Sequence, residues 1–324
     1  MKVAVDVTPL QLTRAGTARY LGALLPRVER EVEVERLHGF ASGKAGTLWL
    51  DLAWYPHVLP RRARGADVLH CSTYRGPVRS RVPVVVTVHD LAVFRRPKSF
   101  PPWTRRYSRA VVPRVVRAAR IVAAVSEFTA SELETLLNVP HERIRVVPNA
   151  ADPAFTEDGA REDGDYVLAV GTLEPRKNLA RSIEASRRLG VELRVAGMEG
   201  WGGVNATGPG VTYAGFAADE ELARLYRGAL CVVYPSLYEG FGIPVLEAMA
   251  CGAPVVTSRG GATEEVAGGA AVLVDPEAVE SISAGIEEAI ARRDELRAAG
   301  LRRARDYSWD ESARLLLQAY EEAA

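Results

Sequence analysis

Short, unbroken, β-branched runs alternate with helical patterns along almost the whole chain. In the first half the runs are Val3–Val7, Val68–Cys71, Val84–Val88, Ile121–Val125 and Ile144–Val147. In the second they are Tyr166–Val170, Leu193–Ala196, Val211–Tyr213, Cys231–Tyr234, Val255–Thr257 and Ala271–Val274. Runs without polar alternation suit strands covered on both faces, as in parallel sheets. The pattern therefore predicts an α/β chain built from doubly wound parallel sheets. At 324 residues the chain suits two such Rossmann-like domains better than one. The Pro-bracketed stretch Pro148–Phe155, followed by polar residues 156–165, marks the boundary. The expected domains are 1–155 and 156–307, with a terminal helix over 308–324 that Ser308 leads. Two sheets of this kind facing across a cleft would bind ligands at the carboxyl ends of their strands.

Composition removes several other classes. With 48% apolar and 25% charged residues, a disordered tail, a collagen or a coiled coil is excluded. No run approaches the ~18 apolar residues that span a bilayer. The opening MKVAVDVTPL carries Asp6 within its apolar run and reads as a strand, not a signal peptide. Cys71, Cys231 and Cys251 form no CxxC and fit buried free thiols in a reducing cytoplasm.

The zero net charge hides an asymmetry. Residues 1–155 carry 24 Lys and Arg against 13 Asp and Glu, a net of +11, and the remainder balances it at −11. The basic half suits an anionic surface or substrate. Its richest stretch, Leu91–Ser126, holds nine basic residues and no acid. At helical spacing Tyr107, Val111, Val115, Ala118 and Val122 fall on one side, with Arg106, Arg109, Arg117 and Arg120 on the other. Pro113 is expected to kink or split this pattern. A solvated helix face and a contact with an anionic membrane through residues 95–120 both fit.

Several familiar motifs are absent. There is no GxGxxG, so a nicotinamide dehydrogenase has little support, and there is no HExxH. Gly39–Lys44 is one residue short of a P-loop and lacks its Ser/Thr. Asp163-Gly-Asp165 precedes a strand, at the wrong end of a sheet for a metal-binding DxD. Nothing points to nucleic acid.

The segment from Pro235 to Gly252 (PSLYEGFGIPVLEAMACG) carries the chemistry. A strand runs into a glycine-bearing loop, and a helix is expected to start at Pro244. Loop N–H groups and the helix N-terminus suit a diphosphate. Glu247, one turn into the helix, is placed to accept ribose hydroxyls. Glu239, in the loop, is placed to accept sugar hydroxyls. Gly171–Asn178 (GTLEPRKN) follows the first strand of the second domain and sets Arg176 and Lys177 at the same sheet edge. Such cations can neutralise a leaving diphosphate without a metal.

The spacing of Glu239 and Glu247 within YEGFGIPVLEAMACGAPVV, with GTLEPRKN upstream, resembles the retaining nucleotide-sugar glycosyltransferases of the two-Rossmann-domain (GT-B) class. The closer resemblance is to the bacterial group rich in mannosyltransferases, and it covers nearly the whole chain. DVTPL, AGTARY, VTVHDL, AVSEFTASEL, RVVPNAAD, YAGFAADEELARLYRGA and the terminal YSW helix share it. The resemblance implies a role for each matching residue. Glu247 would bind the donor ribose, and Glu239 the transferred sugar. Lys177 and Arg176 would hold the diphosphate. The amides of Gly240, Phe241, Gly242 and Ile243 would contact phosphate and sugar. The loop around Gly16 would lie near the phosphates, His89 over the sugar, and the segment Gly215–Phe216 beside the base. The terminal helix would cross back to the first domain. Thr172, directly after Gly171, stands where some relatives carry an arginine, and Arg176 is the substitute.

The resemblance implies a hexosyltransferase that uses a nucleotide diphosphate sugar, GDP-mannose first and a UDP-sugar second. No cofactor is held permanently and no metal is required. The acceptor is a hydroxyl of a glycan or a lipid-linked glycan, and the enzyme is cytoplasmic or peripheral on the inner face of a membrane. Blander readings stand beside these. Glu239 and Glu247 alone fit a solvated loop acid and a helix-start acid. His89 with Asp90, and more weakly His70, fit hydrogen-bonded strand ends. Gly16 fits a turn, and Arg176 a surface residue. A nucleotide-sugar hydrolase or epimerase, and a non-catalytic nucleotide-sugar- or membrane-binding scaffold, are the alternative functions. A pyridoxal-phosphate phosphorylase would need a Schiff-base lysine. Only Lys177 of the four lysines lies in the second half, and it suits a diphosphate better.

Overall fold

A computed structural model describes residues 1–12, 16–40 and 43–324. The chain divides into two compact units. One is Met1–Asn149 with Trp309–Ala324, and the other is Ala150–Ser308. Phe155, read from sequence as the end of the first domain, packs edge-on against the ring of Tyr226, 5.8 Å between centroids, and belongs to the second unit.

The first unit holds a six-stranded sheet in the order β2-β1-β3-β4-β5-β6. Its strands are β1 (Lys2–Asp6), β2 (Glu33–Leu37), β3 (Val68–Cys71), β4 (Val84–Val88), β5 (Ile121–Ala124) and β6 (Ile144–Val146). Every pairing is parallel, with Val5 opposite His70, His70 opposite Val85, and Val85 opposite Ile121. The strand absent from the sequence reading is β2, EVERL. It lies at the sheet edge and pairs only with β1, so one flank meets water and carries glutamates that Lys2 engages at 3.6 and 3.1 Å.

The basic pattern forms one helix, Pro102–Ala118, which runs unbroken through Pro113. Its buried face is Tyr107, Ser108, Val112, Val115 and Val116, rotated from the predicted Val111 and Ala118. The helix ends at Ala118. Val122 lies in β5, and the N–H of Arg120 donates to Val84 at 2.8 Å.

The helix Trp309–Ala323 belongs to this same unit. Ser312 donates to the Pro148 carbonyl at 2.7 Å, and Trp309 meets the Tyr20 ring at 6.1 Å. The Tyr320 hydroxyl lies 2.8 Å from Nδ1 of His70, whose Nε2 lies 2.8 Å from the Thr87 hydroxyl. Burial lowers His70 to about 3, so a neutral imidazole ties the terminal helix to β3 and β4. His70 is a core group.

The second unit repeats the architecture in the order β12-β11-β10-β7-β8-β9. Its strands are β7 (Tyr166–Val170), β8 (Glu192–Ala196), β9 (Val211–Gly215), β10 (Cys231–Tyr234), β11 (Val255–Ser258) and β12 (Val272–Val274). The chain winds outward from β7 in one direction and from β10 in the other. The loops that leave these two central strands therefore diverge at a switch point, where doubly wound sheets bind ligands. Asp163 and Asp165 stand before β7, at the opposite end.

Candidate active site

Two loops meet at the switch point of the second unit: residues 171–178 after β7 and residues 235–242 after β10. Their backbones are laced together. Leu237 N–H donates to the Arg176 carbonyl at 2.8 Å, and the Asn178 amide donates to the carbonyls of Pro235 at 3.0 Å and Pro276 at 2.6 Å. Asn178 adopts a left-handed conformation (φ 62°), which asparagine tolerates better than most residues. The neighbouring turn at Gly197 passes the first loop so closely that an added Cβ would stand 1.9 Å from the Gly171 carbonyl oxygen. Only glycine permits that approach.

This lacing brings Arg176, Lys177 and Glu239 together. Lys177 Nζ donates to Glu239 Oε1 at 2.6 Å, and Arg176 Nη1 to Oε2 at 2.8 Å. Arg176 also pairs with Glu174 at 2.8 Å and donates to the Tyr238 carbonyl at 3.1 Å. The Tyr234 hydroxyl donates to Glu239 at 3.0 Å and accepts from Lys177, whose ammonium stands 4.8 Å from the Tyr234 ring centroid. Burial pushes the Glu239 carboxyl up, but Arg176 and Lys177 outweigh it and hold the group at about 2. Burial lowers the Lys177 ammonium, with Glu239 opposing. Glu239 is thus a fixed carboxylate between two cations.

The loop then enters the helix Ile243–Ala250, one residue earlier than expected, with Pro244 in its first turn. Gly242 caps it at φ 103°, where a Cβ would come 2.8 Å from Thr263 Cγ2. The helix N-terminus presents its first N–H groups toward the loop, a setting that favours an anion. The Phe241 side chain is buried against Tyr307, centroids 5.5 Å apart, and Gly240 is buried beside it. Ile243 is half-buried.

Glu247 is 3% exposed and accepts from the Tyr226 hydroxyl at 3.1 Å, apart from the Glu239 cluster. Gly171, at φ 135°, lies against the Lys177 side chain, and Thr172 beside it is half-buried. Phe216 follows β9 with its ring half exposed.

Two further residues singled out from sequence belong to the first unit. His89 follows β4, its Nε2 2.9 Å from the Ser72 carbonyl and its ring edge-on to Tyr20. A carbonyl only accepts, so Nε2 carries the hydrogen. Burial lowers this imidazole, leaving Nδ1 as an acceptor. Gly16 opens the helix Gly16–Val28, and Thr13–Ala15 of its loop lie outside the described residues, as do Ala41 and Ser42 of the rejected P-loop fragment. Among the described residues no group of three His, Cys, Asp or Glu side chains is arranged to hold a metal ion.

Tyr234, Glu174 and Tyr226 escaped the sequence reading. Tyr234 ends a predicted strand and Glu174 stands inside GTLEPRKN, so position was a usable signal for both. Tyr226 lies on a separate helix, inside the segment YAGFAADEELARLYRGA that shares the resemblance, but nothing in the sequence paired it with Glu247.

Paired doubly wound parallel units with such a loop at a switch point define the GT-B class of fold. The profile for glycosyl transferases group 1 matches residues 152–306, and that for glycosyltransferase family 4 matches residues 13–155. An Escherichia coli O-antigen chain mannosyltransferase B is 33% identical over 99% of this chain and 100% of its own length. Sucrose-phosphate synthase from Thermosynechococcus elongatus superposes with a TM-score of 0.80 at 20% identity, over 99% of this chain and 98% of that one. Anabaena HepE in complex with UDP and glucose gives 0.76 at 18% identity, over 98% of both chains. At those identities the superpositions speak to the fold. The chain belongs to the group 1 glycosyltransferases and is an enzyme of that class.

Proposed function

We propose that this enzyme moves mannose from GDP-mannose to a hydroxyl of a glycan or lipid-linked glycan, with retention of configuration and without a metal. The observation that carries the reading is the set Arg176, Lys177 and Glu239 beside the N-terminus of the helix Ile243–Ala250. Two cations and a helix dipole at one point supply the positive field that a departing diphosphate needs. Glu239, ionised at any physiological pH, accepts the hydroxyls of the transferred sugar. Glu247 accepts the ribose hydroxyls, the amides of residues 240–243 donate to the phosphates, and Phe216 borders the base. Gly171 and Thr172 line the diphosphate, and the loop around Gly16 is assigned to the phosphates by the family resemblance. In a front-face displacement the leaving phosphate oxygen takes the acceptor proton, and His89 steadies the sugar. The mannosyl choice is supported by the E. coli relative's name, and UDP-sugars rank second on the strength of HepE.

The first unit would carry the acceptor. No described helix is long and apolar enough to cross a membrane. Exposed Lys98, Arg106, Arg109 and Arg120 support a peripheral contact with an anionic membrane through residues 95–120, whereas Arg95 is engaged by Glu132 at 2.8 and 2.6 Å.

A thermal-shift panel of GDP, UDP, ADP and their sugar conjugates tests the donor. At 100 times its dissociation constant a ligand adds about 2.7 kcal/mol to stability. GDP and GDP-mannose are expected to stand out. A shift confined to uridine nucleotides would replace the donor, and no shift with any nucleotide would overturn the reading.

A further inference from the structure

Glu247 lies on a short helix whose other buried side chains are apolar. Val245, Leu246, Ala248 and Met249 surround it in sequence, and Glu247 itself is 3% exposed. A carboxylate so placed persists as an anion only where donors reach it. One donor comes from another helix. The Tyr226 hydroxyl, on the helix Asp219–Gly228, donates to Glu247 Oε2 at 3.1 Å, and Tyr226 is fully buried.

The tyrosine is held where it stands. Its ring packs edge-on against Phe155, 5.8 Å between centroids. One residue before it, the Leu225 carbonyl accepts from the Tyr166 hydroxyl at 2.7 Å. One residue after it, Arg227 donates to the carbonyls of Thr156, Asp158 and Ala160 at 3.0, 3.0 and 2.7 Å. At Gly228 an added Cβ would stand 2.1 Å from the Glu162 carbonyl oxygen. The last turn of this helix is therefore pinned to β7 and to residues 155–162, which fixes the place of the Tyr226 hydroxyl.

That rigidity has a use. A glutamate side chain turns about three bonds, and ordering it on binding subtracts from affinity. A hydroxyl on one oxygen orders the carboxylate before a ligand arrives. It does not exhaust the group, because a carboxylate offers about four acceptor positions and can serve a tyrosine and a diol together. Phenylalanine would fill the same apolar space with no polar atom to satisfy. The contact with Glu247 is thus what the hydroxyl, rather than the ring, supplies.

We infer that Tyr226 is a positioning residue: it fixes the Glu247 carboxylate for the 2′ and 3′ hydroxyls of the donor ribose, and so sets a preference for ribose over deoxyribose. The inference rests on the ribose role proposed above for Glu247. Calorimetric titrations with GDP and 2′-deoxy-GDP test it, on wild type, Tyr226→Phe and Tyr166→Phe. UDP and 2′-deoxy-UDP are run alongside, so that the ribose contact is read whichever base binds. The wild type is expected to prefer the ribose form at least about tenfold, since the analogue leaves an acceptor unpaired. Tyr226→Phe keeps the ring. It is expected to weaken the ribose form about tenfold and the deoxy form less than about threefold, so the ratio collapses. In turnover the KM for the sugar nucleotide should rise with kcat nearly unchanged, the mark of lost uniform binding. Tyr166→Phe removes the neighbouring clamp and is expected to lower Tm while the ratio stays within about twofold of wild type. A wild-type ratio retained in Tyr226→Phe overturns the inference. An equal loss of the ratio in both variants also overturns it, because the effect would then come from loosening the helix. Equal affinity for the two forms in the wild type would withdraw the ribose role of Glu247 itself, and the inference with it. The two failures are told apart by whether the wild type discriminates.

Discussion

Lys177→Ala is expected to lower kcat by about 10²–10³-fold, with a much smaller change in the KM for the sugar nucleotide. The reason lies in when the charge is needed. On the proposed mechanism Arg176 and the helix N-terminus already face the diphosphate in the ground state. In the transition state a further negative charge develops on the departing phosphate, and Lys177 is the cation assigned to meet it. In the free protein its ammonium is shared between Glu239 and the Tyr234 hydroxyl. A donor diphosphate would have to draw it away from both. Lys177→Arg should recover only part of the rate, because a planar fork does not replace a compact ammonium at this position. Steady-state kinetics on both variants, with circular dichroism to verify folding, make the test. A rate within twofold of wild type in Lys177→Ala would remove Lys177 from the mechanism.

Glu239→Gln is expected to have the larger effect on stability. It leaves Arg176 and Lys177 buried with Glu174 as the remaining carboxylate of the cluster. Breaking a buried ion network by removing one partner costs about 3–5 kcal/mol. The pH dependence follows from the sign of the shift. The folded carboxyl titrates at about 2, below its ordinary 4.5, so ionised Glu239 favours the folded state fully above pH 4.5. That contribution fades as pH falls from 4.5 toward 2. The gap in Tm between wild type and variant should be widest near neutrality and should shrink below pH 4.5. The same substitution removes the carboxylate that competes with the ligand for both cations, so GDP should bind more tightly while turnover falls. Denaturation across this pH range together with GDP titration checks both parts. A constant Tm gap would mean that Glu239 acts through its size and hydrogen bonds rather than its charge.

What could be read in advance followed from how completely each element is buried. β4, VVVTV, is covered on both faces and announces itself as an unbroken apolar run. β2, EVERL, sits at an edge where Glu33 and Glu35 meet water, and its mixed pattern says little locally. The helix Pro102–Ala118 was legible as a helix, but its buried face came out rotated. The reading carried its apolar stripe on to Val122, which lies in the following strand. At the site the motif residues were legible because glycines, cations and carboxylates crowd into two short segments. Their partnership was not, because Lys177 and Glu239 lie 62 positions apart and meet only once β7 and β10 become neighbours. Tyr226 reaches Glu247 from a separate helix, a contact that only packing reveals.

The most direct test of the central claim is the anomeric configuration of the product. GDP-α-mannose, dodecyl α-mannoside and the enzyme are incubated with excess EDTA, and the new linkage is read from its one-bond carbon–hydrogen coupling by NMR. The account predicts an α-linked mannose formed at the rate seen without EDTA. A β-linked product would contradict retention, and a reaction abolished by EDTA and restored by a divalent cation would contradict leaving-group stabilisation by Arg176, Lys177 and the helix N-terminus alone.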